Sequence, residues 1–340
     1  MSRRGVFRCS LAAVLFGLSA PAASRLADDL GAFGLAGLLY LGAAAATLVP
    51  TVRHPPHRRS LRAGARQLTV AVVVGGAVGP LLLAAGLQRT TAATASLLLN
   101  LELVFTILIA GLFFKEHIGR RVANGTVLVV IAGVLLGWSG APAARWGALL
   151  VAGACLCWAV DNSVTAALDE LAPAHITFVK GLVAGGADLG IGLAIDGVPP
   201  LGVSMWALAV GVVGYGMSIT LWVAGARDLG AARGQLVFAT APFIGAIVAW
   251  IALGEQATSR ELAAAVLAAG GVLFVMRSGH EHAHSHDAVE HDHEHVHDDD
   301  HHLHEHEAGF QGRHQHPHVH AAVGHAHPHV PDLHHRHSHG

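Results

Sequence analysis

The sequence predicts an all-α integral membrane protein: ten transmembrane helices forming a 5+5 inverted repeat, followed by a disordered His-rich cytoplasmic tail. Three observations predict it. Hydrophobic residues make up 53% of the chain and charged residues 13%, with a mean hydropathy of +0.50 and 41 glycines, a balance too apolar for an ordinary soluble protein. Apolar stretches near the roughly 20 residues that cross a bilayer follow one another with short connections. Finally, the first half of the chain matches the second at a constant offset.

The expected spans are 6–24, 30–49, 68–87, 91–114, 122–140, 146–168, 173–195, 201–225, 231–253 and 259–276. The first also resembles a cleavable signal peptide, because Ser2, Arg3 and Arg4 precede an apolar run and the small residues of SAPAAS follow it. The internal repeat decides for a retained helix. An offset of 139 residues places Gly86, Ala92 and Ala93 on Gly225, Ala231 and Ala232. The same offset puts Val73-Val74-Gly75 on Val212-Val213-Gly214, Glu116 on Glu255 and Arg121 on Arg260. Each half holds five spans only if the first is kept. An odd number of spans per repeat makes the second half enter the membrane from the opposite side, which is an inverted repeat. The expected domains are residues 1–140, the first five-helix repeat; 141–279, the second; and 280–340, the tail.

Basic residues near helix ends set the orientation. With the N-terminus in the cytoplasm, 14 Lys and Arg residues fall inside (Arg3, Arg4, Arg8, Arg53, Arg58, Arg59, Arg62, Arg66, Lys115, Arg120, Arg121, Arg227, Arg233, Arg277) and four outside (Arg25, Arg89, Arg145, Arg260). Ten spans then return the C-terminus to the cytoplasm. Arginine far exceeds lysine and the helices are rich in Gly and Ala, a bacterial high-GC composition that places the chain in the cytoplasmic membrane.

An ionisable group in lipid costs about 2.5–3.5 kcal/mol on insertion scales, so each one present should face a partner or a cavity. Four need explaining. Glu102 lies near the midpoint of the fourth span with Asn100 two residues before it; it can carry a proton through a transport cycle or pin two helices together by a hydrogen bond. Asp161 and Lys180 lie about seven residues, roughly 10 Å, from the same membrane face on consecutive helices, which predicts an ion pair. Such a pair either stabilises the hairpin or opens for a charged ligand. Asp188, eight residues beyond Lys180, is a further candidate. Gly75, Gly76, Gly79, Pro80, Gly211, Gly214 and Gly216 permit close helix approach and local breaks.

Cys9, Cys155 and Cys157 lie within apolar runs and read as reduced packing residues. No His-Glu-x-x-His, Gly-x-Ser-x-Gly or phosphate-binding glycine loop is present, so an enzyme is not expected. The arginines follow helix ends instead of forming one basic face, so neither is a nucleic-acid partner.

The stretches ATASLLLNLELVFTILIAGLFFKEHIGRR (93–121) and ARGQLVFATAPFIGAIVAWIALGEQATSRE (232–261) resemble the two EamA-type repeats of the drug/metabolite transporter superfamily. WAVDNSVTAALDELAPAHITFVKGLVAGG (158–186) is similar to a branch with an Asp-Asn pair on the sixth helix, here Asp161 and Asn162, and a Lys-Gly pair on the seventh, here Lys180 and Gly181. The resemblance covers residues 6–276. It implies ten helices, both termini in the cytoplasm and transport of small solutes, usually export. The family's Leu-Glu-Pro-Val-Phe motif is divided here: the first copy keeps Glu102 but has Leu103, and the second keeps Pro242 but has Ala241. One central carboxylate remains instead of two.

Residues 280–340 hold 23 of the 27 histidines, with 11 Asp/Glu against two Arg. His280, His282, His284, His286, His291, His293, His295, His297, His301, His302, His304 and His306 alternate with acidic and small residues. Such a segment cannot bury a core. Neutral imidazoles suit Zn, Ni, Co or Cu, so a divalent transition metal is expected on the tail, and no cofactor is required. Three functions follow: a secondary active exporter of a small solute with a tail that buffers or senses metal, an exporter of a transition-metal cation collected by the tail, and a membrane-tethered metal store or sensor without flux. The partners are a small-molecule or cation substrate and the lipid bilayer; a homodimer is compatible with the sequence.

Overall fold

The computed structural model describes residues 3–113, 118–138, 141–165, 168, 171–229 and 231–276, and in the tail 280–286, 289–295, 314–320 and 323–329. Lys115, Glu116, His117, Arg277, His297, His301, His302, His304 and His306 lie outside the described residues. The chain divides into two units, Met1–Ser278 and Gly279–Gly340.

Among the described residues of the first unit every regular element is a helix. Among the described residues nine helices are long and apolar enough to cross a membrane: α1 (Arg3–Ser24), α2 (Ala27–Arg53), α3 (Ala65–Leu87), α4 (Ala92–Phe113), α5 (Arg120–Gly137), α6 (Pro142–Thr165), α7 (Pro173–Ile195), α8 (Leu201–Ala226) and, last in the chain, Ser259–Met276. Between α8 and that last helix, the expected span 231–253 is divided into α9 (Ala231–Phe238) and α10 (Ala241–Ala252); Ser259–Met276 is therefore α11. Large apolar side chains such as Val127, Trp146, Trp206, Ile251 and Val266 stand exposed along the outer surface, as lipid requires and water would penalise.

Small residues set how the helices pack. At the α2–α7 seam, a Cβ added to Gly37 would lie 2.5 Å from the Leu189 amide nitrogen and 2.8 Å from the Gly185 carbonyl. Gly192 meets Gly34 in the same way one to two turns further along. Backbones this close gain dispersion energy where lipid offers no hydrophobic driving force.

Two departures from regular helix recur at corresponding places in the two halves. Residues 71–78 of α3 and 211–217 of α8 are π-helical, and the Val-Val-Gly triplets aligned by the repeat lie within them. The helix is also interrupted at Leu99–Asn100 inside α4 and at Ala239–Thr240 between α9 and α10. The chemistry of the two breaks differs. Pro242 opens α10 in the first turn, where its missing N–H costs nothing. In α4, which has no proline, the Leu97 carbonyl accepts from both the backbone amide of Asn100 at 3.3 Å and its side-chain Nδ2 at 2.9 Å, which closes the first segment with a tight turn.

In the tail, β1 (His280–His286) pairs antiparallel with β4 (Val323–His329), and β2 (Val289–His295) with β3 (His314–His320). His282 stands opposite His327 and His293 opposite His316. A residue type recurring at every second position has the period of an extended strand.

Replacing Gly37 with Val should lower stability by about 1–3 kcal/mol through overpacking of the α2–α7 seam. Gly186→Val, where an added Cβ meets nothing within 4 Å, should leave it unchanged. Midpoints of denaturation in mixed micelles provide the comparison.

Candidate functional site

Four of the six polar residues singled out from sequence come together where α4, α6 and α7 meet. Asp161 and Asn162 are consecutive on α6, so their side chains leave the helix about 100° apart and reach different neighbours. Lys180 Nζ on α7 donates to Asp161 Oδ2, forming the expected ion pair, and both side chains are largely enclosed, at 13% and 7% exposure. Asn162 Nδ2 donates to Glu102 Oε1 on α4 at 2.6 Å. That bond lies on a more accessible face, with Asn162 exposed and Glu102 half-buried. Glu102 itself sits two residues past the break in α4, so the interruption places a carboxylate at the head of the second segment, Leu101–Phe113.

The π-helical stretch of α3 makes room for the ion pair. Asp161 lies directly over Gly75, where an added Cβ would come 2.5 Å from the Asp161 Cβ. The Gly75 carbonyl accepts from Tyr40 Oη at 2.9 Å and from Trp158 Nε1 at 3.2 Å. Trp158 is one helical turn before Asp161 on α6, so α2, α3, α6 and α7 are tied together around one carbonyl and one ion pair. Tyr40 also approaches Tyr215 of α8, the chain's other tyrosine, with ring centroids 6.0 Å apart. Phe16 continues the contact to Phe238 on α9.

Two expected site residues stand apart. Asn100 is buried and bonds locally to Leu97, so it shapes the break and does not touch the charged groups. Asp188 is 3% exposed and about 12 Å along α7 from Lys180. Its Oδ2 is buried without a hydrogen-bond partner among the described residues. Asp161 Oδ1 is likewise unpartnered. The free Asp161 oxygen, with the Glu102 carboxylate and the Asn162 side-chain carbonyl, gives a set of oxygen donors near the Lys180 ammonium, to which Asp188 does not belong. Among the described residues no three His, Cys, Asp or Glu side chains are grouped closely enough to hold a metal ion.

Sequence reasoning missed Tyr40 and Trp158. Trp158 had a usable signal, its i, i+3 spacing from Asp161; the carbonyl they share had one too, because Pro80 has no N–H to return to the helix and the Gly79 amide bonds to Val74, but nothing along the chain marks Tyr40 as the residue that reaches it.

The EamA-like transporter family model matches residues 3–138 and again 145–277. The chain belongs to the EamA-like transporter family. An uncharacterized transporter from Methanothermobacter thermautotrophicus is 30% identical over 223 residues, covering 62% of this chain; the chain spans 64% of that relative's length. One solved crystal structure shares the fold with a TM-score of 0.58 at 18% identity, over 80% of this chain and 96% of the other. Multi-pass insertion in a membrane follows from the family and from the apolar helices.

Lys180→Met alone should lower stability by about 3–5 kcal/mol, because it leaves a carboxylate buried without its partner. Adding Asp161→Asn should recover most of that loss. A double-mutant cycle on thermal unfolding of the detergent-solubilised protein measures both.

Proposed function

We propose that the protein is a secondary active transporter that exports a small solute across the cytoplasmic membrane in exchange for protons, with both termini in the cytoplasm. The observation that carries the reading is the state of the Glu102 carboxylate. Asp161 has Lys180 as a fixed counter-ion, whereas among the described residues the carboxylate of Glu102 receives one neutral donor, Asn162. A carboxylate at that depth is costly to hold ionised alone, so in some step of its cycle it takes a proton or a substrate cation. Two ligands competing for one carboxylate, each bound when the other is absent, is the elementary requirement of exchange.

Asp161 and Lys180 supply a second switchable contact. A solute that offers an anionic group to Lys180, or a proton delivered to Asp161, weakens the pair and loosens α6 from α7. The breaks in α4 and between α9 and α10 then provide segments that can pivot. Asp188 lies on the same helix toward the other membrane face and is a way-station for the coupling ion.

The tail serves as a metal-binding buffer or sensor in this reading, using His280, His282, His284, His286, His291, His293 and His295 and the histidines beyond them. Transition-metal export is the second function that the tail's composition favours. The membrane site suits it poorly, because the Lys180 ammonium beside the oxygen donors repels a divalent cation, and oxygen donors do not favour transition metals.

The test is the nickel, cobalt, zinc and copper content of metal-challenged cells, together with proton flux in proteoliposomes carrying a pH gradient. Four chains are compared: the full chain, a chain ending at Gly279, and Glu102→Gln in each. Proton flux should fall about 100-fold in both Glu102→Gln chains, the usual scale for losing a proton-transfer group. Cellular metal should rise in tail-bearing chains irrespective of residue 102. Metal content lowered by the full chain and restored by Glu102→Gln would instead establish metal export.

A further inference from the structure

We propose that Glu255 and Glu261 form a latch that holds shut the end of the molecule assigned to the outside, and that their release from the start of α4 opens it. This rests on the transport reading above and on its orientation.

The two carboxylates come from the second half of the chain and grip the first. Glu255, in the connection between α10 and α11, takes the Ala92 amide on Oε1 at 2.8 Å and the Ala93 amide on Oε2 at 2.9 Å. These are amides that a helix start leaves without internal partners, and they carry the positive end of the helix dipole. Glu261, at the head of α11 and buried, accepts from Thr94 Oγ1 at 2.9 Å and Thr91 Oγ1 at 3.3 Å. Its other oxygen is held by Thr258, whose amide and hydroxyl both donate at 3.0 Å. Thr258 and Glu261 thus form a capping box that fixes the second carboxylate before it reaches α4.

Packing shows what the latch closes. The first segment of α4, Ala92–Leu98, lies against α10, and a Cβ added to Gly245 would come 2.7 Å from Ser96 Oγ. Past the break the partners change: Leu101–Phe113 packs on α6 and α5, whereas α9 packs on α1 and α8. The two broken helices are therefore pressed together on the latch side of their breaks and lean on different neighbours on the other side. Arg25, donating to the Leu253 carbonyl at 3.3 Å, and Gln88, donating to the Ala27 carbonyl at 2.9 Å, close the same end. Directional hydrogen bonds between the halves can be made and lost without rebuilding a packed core, which is what a gate needs.

Ser96 reports the gate: it is buried one turn below the latch and faces α10. Ser96→Cys in the full chain is exposed on intact cells to a membrane-impermeant sulfonated maleimide, and adduct at that position is read by peptide mass. With Glu255 present, labelling should be slow. Glu255→Ala should speed it about tenfold, the population shift that follows from losing two charge-assisted hydrogen bonds, and Glu255→Asp should give part of that. If Ser96→Cys does not fold, faster hydrogen–deuterium exchange of residues 92–98 in Glu255→Ala than in the unchanged chain, with exchange elsewhere unaltered, gives the same reading. A lowered melting temperature for Glu255→Ala with labelling unchanged would make the carboxylate an ordinary helix cap and overturn the latch. Fast labelling with Glu255 present would overturn it too, and labelling confined to inverted vesicles would overturn the assignment of this end to the outside. The readout needs no solute: faster labelling in Glu255→Ala alongside absent Glu102-dependent proton flux would support the latch while removing the proposed transport.

Discussion

Water is excluded from the bilayer interior, so a charged group placed there is stabilised chiefly by a partner on another helix. In this chain that demand converges on two consecutive residues of α6. Asp161 binds Lys180 on α7 and Asn162 binds Glu102 on α4, which makes α6 the strut between the two helices. Trp158 extends the strut to the Gly75 carbonyl of α3, which Tyr40 of α2 also reaches. Five helices of the membrane unit are therefore held through one turn of α6. The Asp161–Lys180 pair is the enclosed side of this turn, and the Asn162–Glu102 bond its accessible side.

The polar centre exists only because the backbones around it come close, and that closeness is a property of small side chains. Asp161 can lie over α3 because residue 75 has no Cβ, and α7 can present Lys180 because Gly181 and Gly185 let it approach α2. The glycines thus act on the site indirectly, by setting distances. Their abundance in the chain follows from membrane packing, in which van der Waals contact replaces the hydrophobic effect as the cohesive force.

The two halves use the same design with different chemistry. A π-helical stretch occurs in α3 and in α8, and a break falls in α4 and, within one residue of the position the repeat offset gives, between α9 and α10. One break is made by Pro242 and the other by the Asn100 amide. Among the described residues the ionisable members of the polar cluster lie on α4, α6 and α7, while Phe16, Tyr215 and Phe238 of α1, α8 and α9 form an aromatic cluster. The two halves therefore differ in side-chain chemistry where their backbones are alike.

Much of this was legible along the chain. Apolar runs of membrane length identify a helical membrane protein, since lipid permits little else, and matched depth on consecutive helices was enough to pair Asp161 with Lys180. The repeat offset marked Glu255 as a position of interest but not its role, because a carboxylate 163 residues from the amides it caps leaves no local pattern. Asn100 looked like part of the charged site by proximity in sequence, yet a helix break turned its side chain onto its own backbone. The link from Asn162 to Glu102, the placement of Tyr40 and Trp158 on a freed carbonyl and the isolation of Asp188 were decided by tertiary structure alone. Periodicity reports which face of a helix is apolar; which helices become neighbours, and at what rotation, depends on close contacts summed over the whole bundle.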